Sequence, residues 1–396
     1  VANSKIKQLP EDFLVEELSD ILPLNYGSFS LYHLEKRNWT TPDALSRVRR
    51  HWKVEAWQLS YGGLKDKHAV TQQLFTIKNG PKKNLDLSDV FVKYIGSIPC
   101  PYESHHIKAN RFTIVIRNII SEQTKNIPDI INLLPSAGIP NYFDDQRFGS
   151  IESLNSEFVA KKMVLGNFEE ALKLALTSFY LHDNAATKQE KKILKENWGD
   201  WVGLKTLLSR GHARSLVDYL IHHPVDFKGT VERLRPELGG LYLSAYQSHL
   251  WNIVLARWIN SNFKPEDIFS IKLKLGIHPV VKFAPSEMHD LLENTYIPLP
   301  SSRLKMQPED PFYFLINSVL AEEGFLLEKM KIPGNSKMFF SKGERKAFYF
   351  AKKMDAEVFD DTLNRNKKAV KIRFDLPKGA YATLLIKCLQ TLMWNT

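Results

Sequence analysis

The stretch SYGGLKDKHAVTQQ, residues 60–73, sets one carboxylate, Asp66, between Lys65 and Lys67 just after a double glycine. Cations beside a carboxylate favour its ionised form. Ionised, an aspartate can attack a carbon centre as a nucleophile or stabilise a sugar with oxocarbenium character. Hydrolytic glycosidases pair such a group with a second acid and a water. No second acid lies near Asp66 in the chain, but a reaction that breaks a glycosidic bond and keeps the base needs no water. One aspartate in a dry pocket then suffices, with Lys65 and Lys67 expected to keep it charged. A solvated, charged turn between two strands accounts for the same pattern equally well.

Other chemistries lack their residues. The phosphate-loop pattern GxxxxGK[ST], the dinucleotide pattern GxGxxG and the zincin pattern HExxH are missing. His105-His106 and His222-His223 lack the i,i+4 spacing of a helical metal site and have no cysteine nearby, so they read as surface or partly buried histidines. Asp144-Asp145 and Asp360-Asp361 are paired acids. Neighbours on a strand point to opposite faces, so a two-metal nuclease site would need acids from elsewhere. A metal site is not expected from these residues.

The elements that must position Asp66 alternate between strands and helices over the first 120 residues. Phe13 and Val15 against Leu14 and Glu16 suggest a short strand. Thr41-Pro42-Asp43 starts a helix, with a capping hydroxyl, a proline at the first helical position and an acid in the first turn. Leu45, Val48 and Trp52 form its buried stripe. Trp57, Leu59 and Tyr61 alternate as a strand that runs into Gly62-Gly63. QQLFTIK and RFTIVIR make two more, with Phe75 and Ile77 on one face of the first and Phe112, Ile114 and Ile116 on one face of the second. Asp66 therefore lies at a strand end in a mixed sheet. From about residue 150 the texture turns helical, in FEEALKLALTSFYL (168–181), the Lys-rich 187–198 stretch and LSAYQSHLWNIVLARWI (243–259). Prolines between short apolar runs mark 264–340 as small strands and loops. Near the end VKIRFDL alternates again, Pro377-Lys378-Gly379 turns, and YATLLIKCLQTLM supplies a last helix. A sheet-forming segment at each end with a different texture between suggests an inserted domain.

Among the 396 residues, 43% are hydrophobic and 25% charged, enough apolar mass for two domains. Lys and Arg outnumber Asp and Glu by 54 to 44, a net charge of +10 that favours a polyanionic partner such as nucleic acid. Two cysteines, Cys100 and Cys388, leave no disulfide framework and fit a reducing compartment. VANSKIKQLPEDF does not resemble a signal or transit peptide, and no apolar run is long enough for a membrane span. A cytoplasmic protein is expected.

GLKDKHAVTQQ resembles the signature of the TruD family of tRNA pseudouridine synthases. KQLPEDFLVEE is similar to that family's opening motif, NRF (110–112) to its Asn-x-Phe motif, and IPNYFDDQRFG (139–149) to its Pro-Asn-Tyr-Phe…Gln-Arg-Phe-Gly segment. LSAYQSHLWN (243–252) and LPKGAYATLLI (376–386) resemble a middle helix and the C-terminal motif. These six segments stand in family order from residue 7 to 386. The resemblance implies an α+β fold: a pseudouridine synthase catalytic domain on a mixed, mostly antiparallel sheet, residues 1–149 and 341–396, with an inserted α/β TRUD domain, 150–340, and a cleft between them. It implies isomerisation of a tRNA uridine, uridine 13 of the D-arm in bacterial members, with no cofactor, no metal and no obligate protein partner.

Carried over position by position, Asp66 is the catalytic nucleophile, acting on the sugar C1′, on the uracil ring or through a glycal. Lys7 pairs with it. Phe13, Asn110 and Tyr381 contact the target base, the two rings by stacking and the amide at a polar edge. Tyr381 stands where some members have Phe. Phe112 forms a wall beneath the site. A flipped-out uridine needs its flanking phosphates held, for which Arg47, Arg49, Arg50, Arg147 and the lysines of 188–195 are candidates. Two other readings compete: an RNA-binding module without catalysis, and a metal-dependent nuclease using Asp144-Asp145.

Overall fold

The computed structural model describes residues 4–151, 156–180, 183–335 and 337–394. The chain divides into two compact units. One runs to Ile139 and resumes at Tyr349, with 282–284 added, and the other holds 140–281 and 285–348. Residues 140–149 and 341–348, assigned from sequence to the first domain, thus group with the second unit.

The first unit is built on nine strands: β1 Phe13–Ser19, β2 Phe29–Arg37, β3 Leu59–Tyr61, β4 Val70–Lys78, β5 Leu85–Asp86, β6 Val90–Ile98, β7 Ile107–Ile119, β8 Lys352–Asp360 and β9 Lys368–Pro377. They pair in the order β8-β9-β7-β1-β4-β2-β6-β5, with β3 added to β4. Only β1 and β4 pair parallel, so the sheet is mixed and mostly antiparallel, and both ends of the chain contribute to it.

The period-two pattern of each strand decides which side chains share a face. Phe13, Val15 and Glu17 lie opposite Ile114, Phe112 and Asn110, and these lie beside Ile372, Phe374 and Leu376. Val15 lies opposite Thr71, which places Gln73, Phe75 and Ile77 on the same face, with Lys36, Leu34 and Tyr32 across from them. Helix α1, Thr41–Trp52, covers part of this face by packing Ala44, Leu45 and Val48 against Tyr32, Leu34, Phe75 and Ile77. Each large apolar side chain buried there contributes roughly 1.5–3 kcal/mol. A second helix, α2 (Ile127–Ala137), packs against the terminal helix Ala382–Trp394 and against β8. The apolar residues of the face form the core. Its polar ones form a row, Lys36, Thr71, Gln73, Glu17 and Asn110, that crosses four strands at one end of the sheet.

Two local expectations change. Trp57 is 71% exposed and lies in a 3-10 turn, not a strand. The Gln58 amide oxygen accepts the Glu55 N–H at 2.8 Å and closes that turn, so the strand begins only at Leu59. The cap of α1 is Thr40, whose hydroxyl accepts the Asp43 N–H at 3.2 Å, so Thr41 is free for other work.

The second unit is mainly helical around the long helix Pro236–Asn262, which buries Tyr246, Leu250, Trp251 and Val254. Ribbons Ile268–Leu273/Gly276–Val281 and Tyr296–Pro298/Glu344–Lys346 carry the short strands expected there. The amphipathic helix expected over 168–181 spans Phe168–Thr177, and Leu181 lies outside the described residues. The two motifs of this unit grip each other. Asn252 accepts the Phe143 N–H at 2.8 Å and donates to its carbonyl at 2.9 Å, while Arg147 Nε donates to Ser248 Oγ at 3.0 Å. That docking draws 141–149 into the second unit.

Candidate active site

β1 pairs with β4 only as far as Glu16–Gln72, and β3 takes the same edge of β4 from Phe75 to Ile77. The gap between these ladders falls at Leu74, whose N–H is accepted by Glu17 Oε1 at 3.2 Å. The loop of residues 62–69, which carries Asp66, starts beside this gap, after Tyr61, and leads into the β1–β4 ladder at Val70. Gly62 begins it for a steric reason: a Cβ there would meet the Ile107 side chain at 2.7 Å and Tyr102 at 3.1 Å.

The loop backbone is tied at four points. Gln73 Nε2 donates to Gly63 O at 3.1 Å, and the Lys65 N–H donates to Thr41 Oγ1 at 3.0 Å. The Thr41 hydroxyl in turn donates to Gln73 Oε1 at 2.9 Å. The Lys36 ammonium donates to Asp66 O at 2.7 Å, and the Asn38 N–H to Ala69 O at 3.3 Å. With so many backbone positions fixed, the Asp66 side chain has little freedom left beyond its own rotamers.

Lys65 corrects an expectation. Instead of flanking the Asp66 carboxylate, its ammonium forms an ion pair with Glu17, whose side chain is fully buried. Glu17 also accepts the Tyr102 hydroxyl at 2.9 Å. Burial first, and then the Glu17 charge, push the Tyr102 hydroxyl well above its ordinary pKa, so it stays a donor. Neighbours along a loop need not be neighbours in charge. Lys65 anchors the loop, Lys67 is exposed, and the cation at Asp66 is Lys7.

Lys7 Nζ lies 3.5 Å from Asp66 Oδ2, with the two side chains 21% and 33% exposed. The same ammonium lies over the Phe13 ring, 3.9 Å from its centroid. Lys7 has φ +58°, a left-handed backbone that costs a residue with a Cβ on the order of 1 kcal/mol or more. The segment is held in place by paired backbone bonds between Lys5 and Arg117, at 3.0 and 2.8 Å.

Phe13 is 1% exposed, between Lys7 above and Phe112, which meets it edge-on at 6.1 Å. Phe112 also stacks on Phe374 at 5.6 Å, so it sits within an aromatic pile. Asn110 lies on β7 directly opposite Glu17, and its Oδ1 is buried with no hydrogen-bond partner among the described residues. A buried acceptor left open costs about 1–3 kcal/mol. Tyr381 precedes the terminal helix and is reached from Leu376, the strand partner of Asn110, through a turn in which Gly379 has φ +84°. Its carbonyl accepts the Tyr349 hydroxyl at 3.0 Å.

Several candidate phosphate contacts are occupied in other ways. Arg147 is bound to Ser248, and Lys191 is buried against Asp183 at 2.6 Å with Tyr180 beneath it. Arg47 rests over Trp39, and Arg50 Nε donates to Ser46 O. Of the paired acids, Asp144 accepts the Asp145 N–H and Asp145 accepts the Lys274 N–H, both at 2.8 Å. Among the described residues no group of three or more His, Cys, Asp or Glu is placed to hold a metal ion, and no helix is long and apolar enough to cross a membrane.

Fold and site define an α+β protein with a lysine-paired aspartate on a loop that starts at a break in a mixed sheet. Comparison with known proteins says which. The family model described as tRNA pseudouridine synthase D (TruD) matches residues 2–389. A Methanococcus maripaludis relative assigned to tRNA pseudouridine synthase D is 31% identical over 393 residues, covering 97% of this chain and 98% of the relative. The Aquifex aeolicus tRNA pseudouridine synthase D is 27% identical over 396 residues, with 97% of each covered. A TruD crystal structure from Methanosarcina mazei superposes with a TM-score of 0.75 at 28% identity, over 98% of this chain and 93% of that one. The chain belongs to the TruD family of tRNA pseudouridine synthases, which are isomerases.

Proposed function

We propose that this chain converts one uridine of tRNA, uridine 13 of the D-arm, to pseudouridine with Asp66 as the catalytic group. The C1′–N1 bond breaks, the uracil turns, and a C1′–C5 bond forms. The hydrogen lost from C5 is balanced by one gained at N1, so no atom enters or leaves. The observation that carries this reading is the Lys7–Asp66 pair, a carboxylate still partly open to solvent on a loop that is otherwise tied down. An isomerisation of this kind needs one reacting carboxylate and exclusion of water, and no second acid is required.

In this reading Lys7 orients Asp66 and balances its charge. Asn110 Oδ1, open and buried, accepts the uracil N3–H once the base is flipped out. Tyr381 stacks on the base, and Phe112 is the floor of the aromatic pile. Phe13 meets the base only after Lys7 swings off its ring, and until then it carries Lys7. The second unit is read as the TRUD insertion domain, which contacts tRNA beyond the target nucleotide.

The test is to incubate unmodified tRNA with wild type and with Asp66→Ala and then map pseudouridine by nucleotide. Product at position 13 with wild type alone is expected, with tRNA binding kept by the variant. Product from both proteins overturns the assignment of Asp66, and product at another uridine overturns the target. A primary isotope effect with 2′-deuterated uridine separates a glycal route from direct attack.

A further inference from the structure

Strand β2 carries a cation at a position where burial and its surroundings disfavour charge. Lys36 is fully buried, with no exposed surface. Its ammonium donates at 2.7 Å to the carbonyls of both Trp39 and Asp66, and among the described residues it has no carboxylate ion-pair partner. Burial of a charge with no carboxylate in contact is one cost, which the Asp66 charge at longer range only partly offsets. The start of α1 is a second, because Trp39 immediately precedes the Thr40 cap and the positive end of a helix repels cations. The Lys65 ammonium nearby is a third. Burial above all lowers the Lys36 pKa to about 8, with Lys65 adding to the effect and the Asp66 carboxylate opposing it. A neutral apolar side chain at this point of β2 would continue the buried series Tyr32 and Leu34 at no such cost.

We propose that Lys36 is a positioning residue for the reaction: its ammonium clamps the Asp66 carbonyl to the start of α1 and so fixes where the carboxylate meets the nucleoside. This inference rests on the reading of Asp66 as the reacting group. Thr41 Oγ1 holds the preceding amide, that of Lys65, and Asn38 holds Ala69 beyond. Lys36 is the tether bound to the aspartate's own peptide unit. It touches no substrate and is closed to solvent, so it acts through Asp66 and not on RNA. A carboxylate displaced by an ångström loses much of the gain from orientation, which can reach two orders of magnitude in rate.

The experiment is single-turnover kinetics on Lys36→Met, which keeps the length of the side chain and removes its donor, with wild type and Asp66→Ala in parallel. At saturating tRNA the rate constant is expected to fall about tenfold or more. The tRNA dissociation constant should stay within about threefold. Thermal unfolding should shift little, since loss of the buried charge offsets the two carbonyls left without a donor. Should Lys36→Met not fold, Lys36→Gln keeps an amide donor on a shorter stem and is measured in the same way, with the same expected split. A wild-type rate in the variant, or a fall fully explained by weaker tRNA binding or by unfolded protein, overturns the inference. Absence of product from wild type, or full activity in Asp66→Ala, overturns instead the reading on which it rests.

Discussion

Two aspartate–cation groups of the first unit show what separates a structural carboxylate from an available one. Arg117 holds Asp12 through three contacts of 2.7 to 3.0 Å and reaches Asp361 at 3.1 Å, with side-chain exposures of 9%, 1% and 0%. Asp361 also accepts the amides of Asn118 and Leu363 and the side-chain amide of Asn364. Every lone pair of that cluster has work inside the protein. At Asp66 the pairing is a single contact of 3.5 Å to one lysine, with a third of the side chain open. There the order lies in the backbone, which Lys36, Thr41 and Gln73 secure, while the carboxylate stays free to react. The two groups are also linked, since Arg117 pairs through its backbone with Lys5, two residues before Lys7. The closed cluster thus anchors the segment that brings Lys7 to the open one.

The contrast breaks most sharply under mutation. Asp66→Asn is isosteric and leaves the loop tethers intact, so activity should fall by about a thousandfold or more, as for loss of a nucleophile. Its urea midpoint should stay near that of wild type. Arg117→Met should do the reverse. Two buried carboxylates lose their partner, a loss that typically costs about 3–5 kcal/mol. Measured below its own unfolding midpoint, the variant should retain a pseudouridine-forming rate well above that of Asp66→Asn. If Asp66→Asn unfolds early, or Arg117→Met is as inactive, the division between the two groups fails.

How much of this was legible in the chain depends on whether a signal is local. The strands at Phe13, Phe75, Phe112 and Val370 announce themselves by alternation, and Asp66 by its motif. Lys7, distant in sequence, came only with the family resemblance. Lys65 stands next to Asp66 in sequence but not in charge, because adjacency in a loop says nothing about where a long side chain turns. Its partner Glu17 lies on β1 at the inward phase set by Phe13 and Val15, which was the available clue. Lys36 carried a similar one, following Tyr32 and Leu34 at the buried phase of β2. A charged residue at an inward position is a statement that something polar waits there. Trp57 failed for a different reason, since three alternating residues do not outweigh a turn closed by Gln58. The domain edges depended on Asn252 reaching Phe143, a pairing no local pattern encodes.

A smaller effect sharpens the comparison through Asn110, whose open Oδ1 belongs with the available group. Asn110→Ala removes an acceptor that the free protein leaves unsatisfied, so stability should hold or rise by up to about 1 kcal/mol. The same change removes a hydrogen bond to the base, and kcat/KM should fall about tenfold. Opposite signs in the two measurements are the signature of an acceptor kept open for a ligand. A parallel loss of stability would mark Asn110 as an ordinary structural amide.

The smallest expected effect belongs to the closed group and depends on acidity. Burial alone would raise the Asp361 pKa, but the Asn118 and Leu363 amides, Asn364 and Arg117 together hold it below the ordinary 3.8. A carboxyl whose folded pKa is depressed binds fewer protons folded than unfolded. Its contribution to stability is therefore present above the unfolded pKa and is lost as pH falls through the folded value. Asp361→Asn should cost most at neutral pH, and the gap to wild type should narrow once pH drops below about 4. Urea titrations at a series of pH values between neutral and strongly acid measure that gap directly. A gap that stays constant over the range would mean that the Asp361 charge adds nothing to the fold, leaving Asp12 alone to balance Arg117.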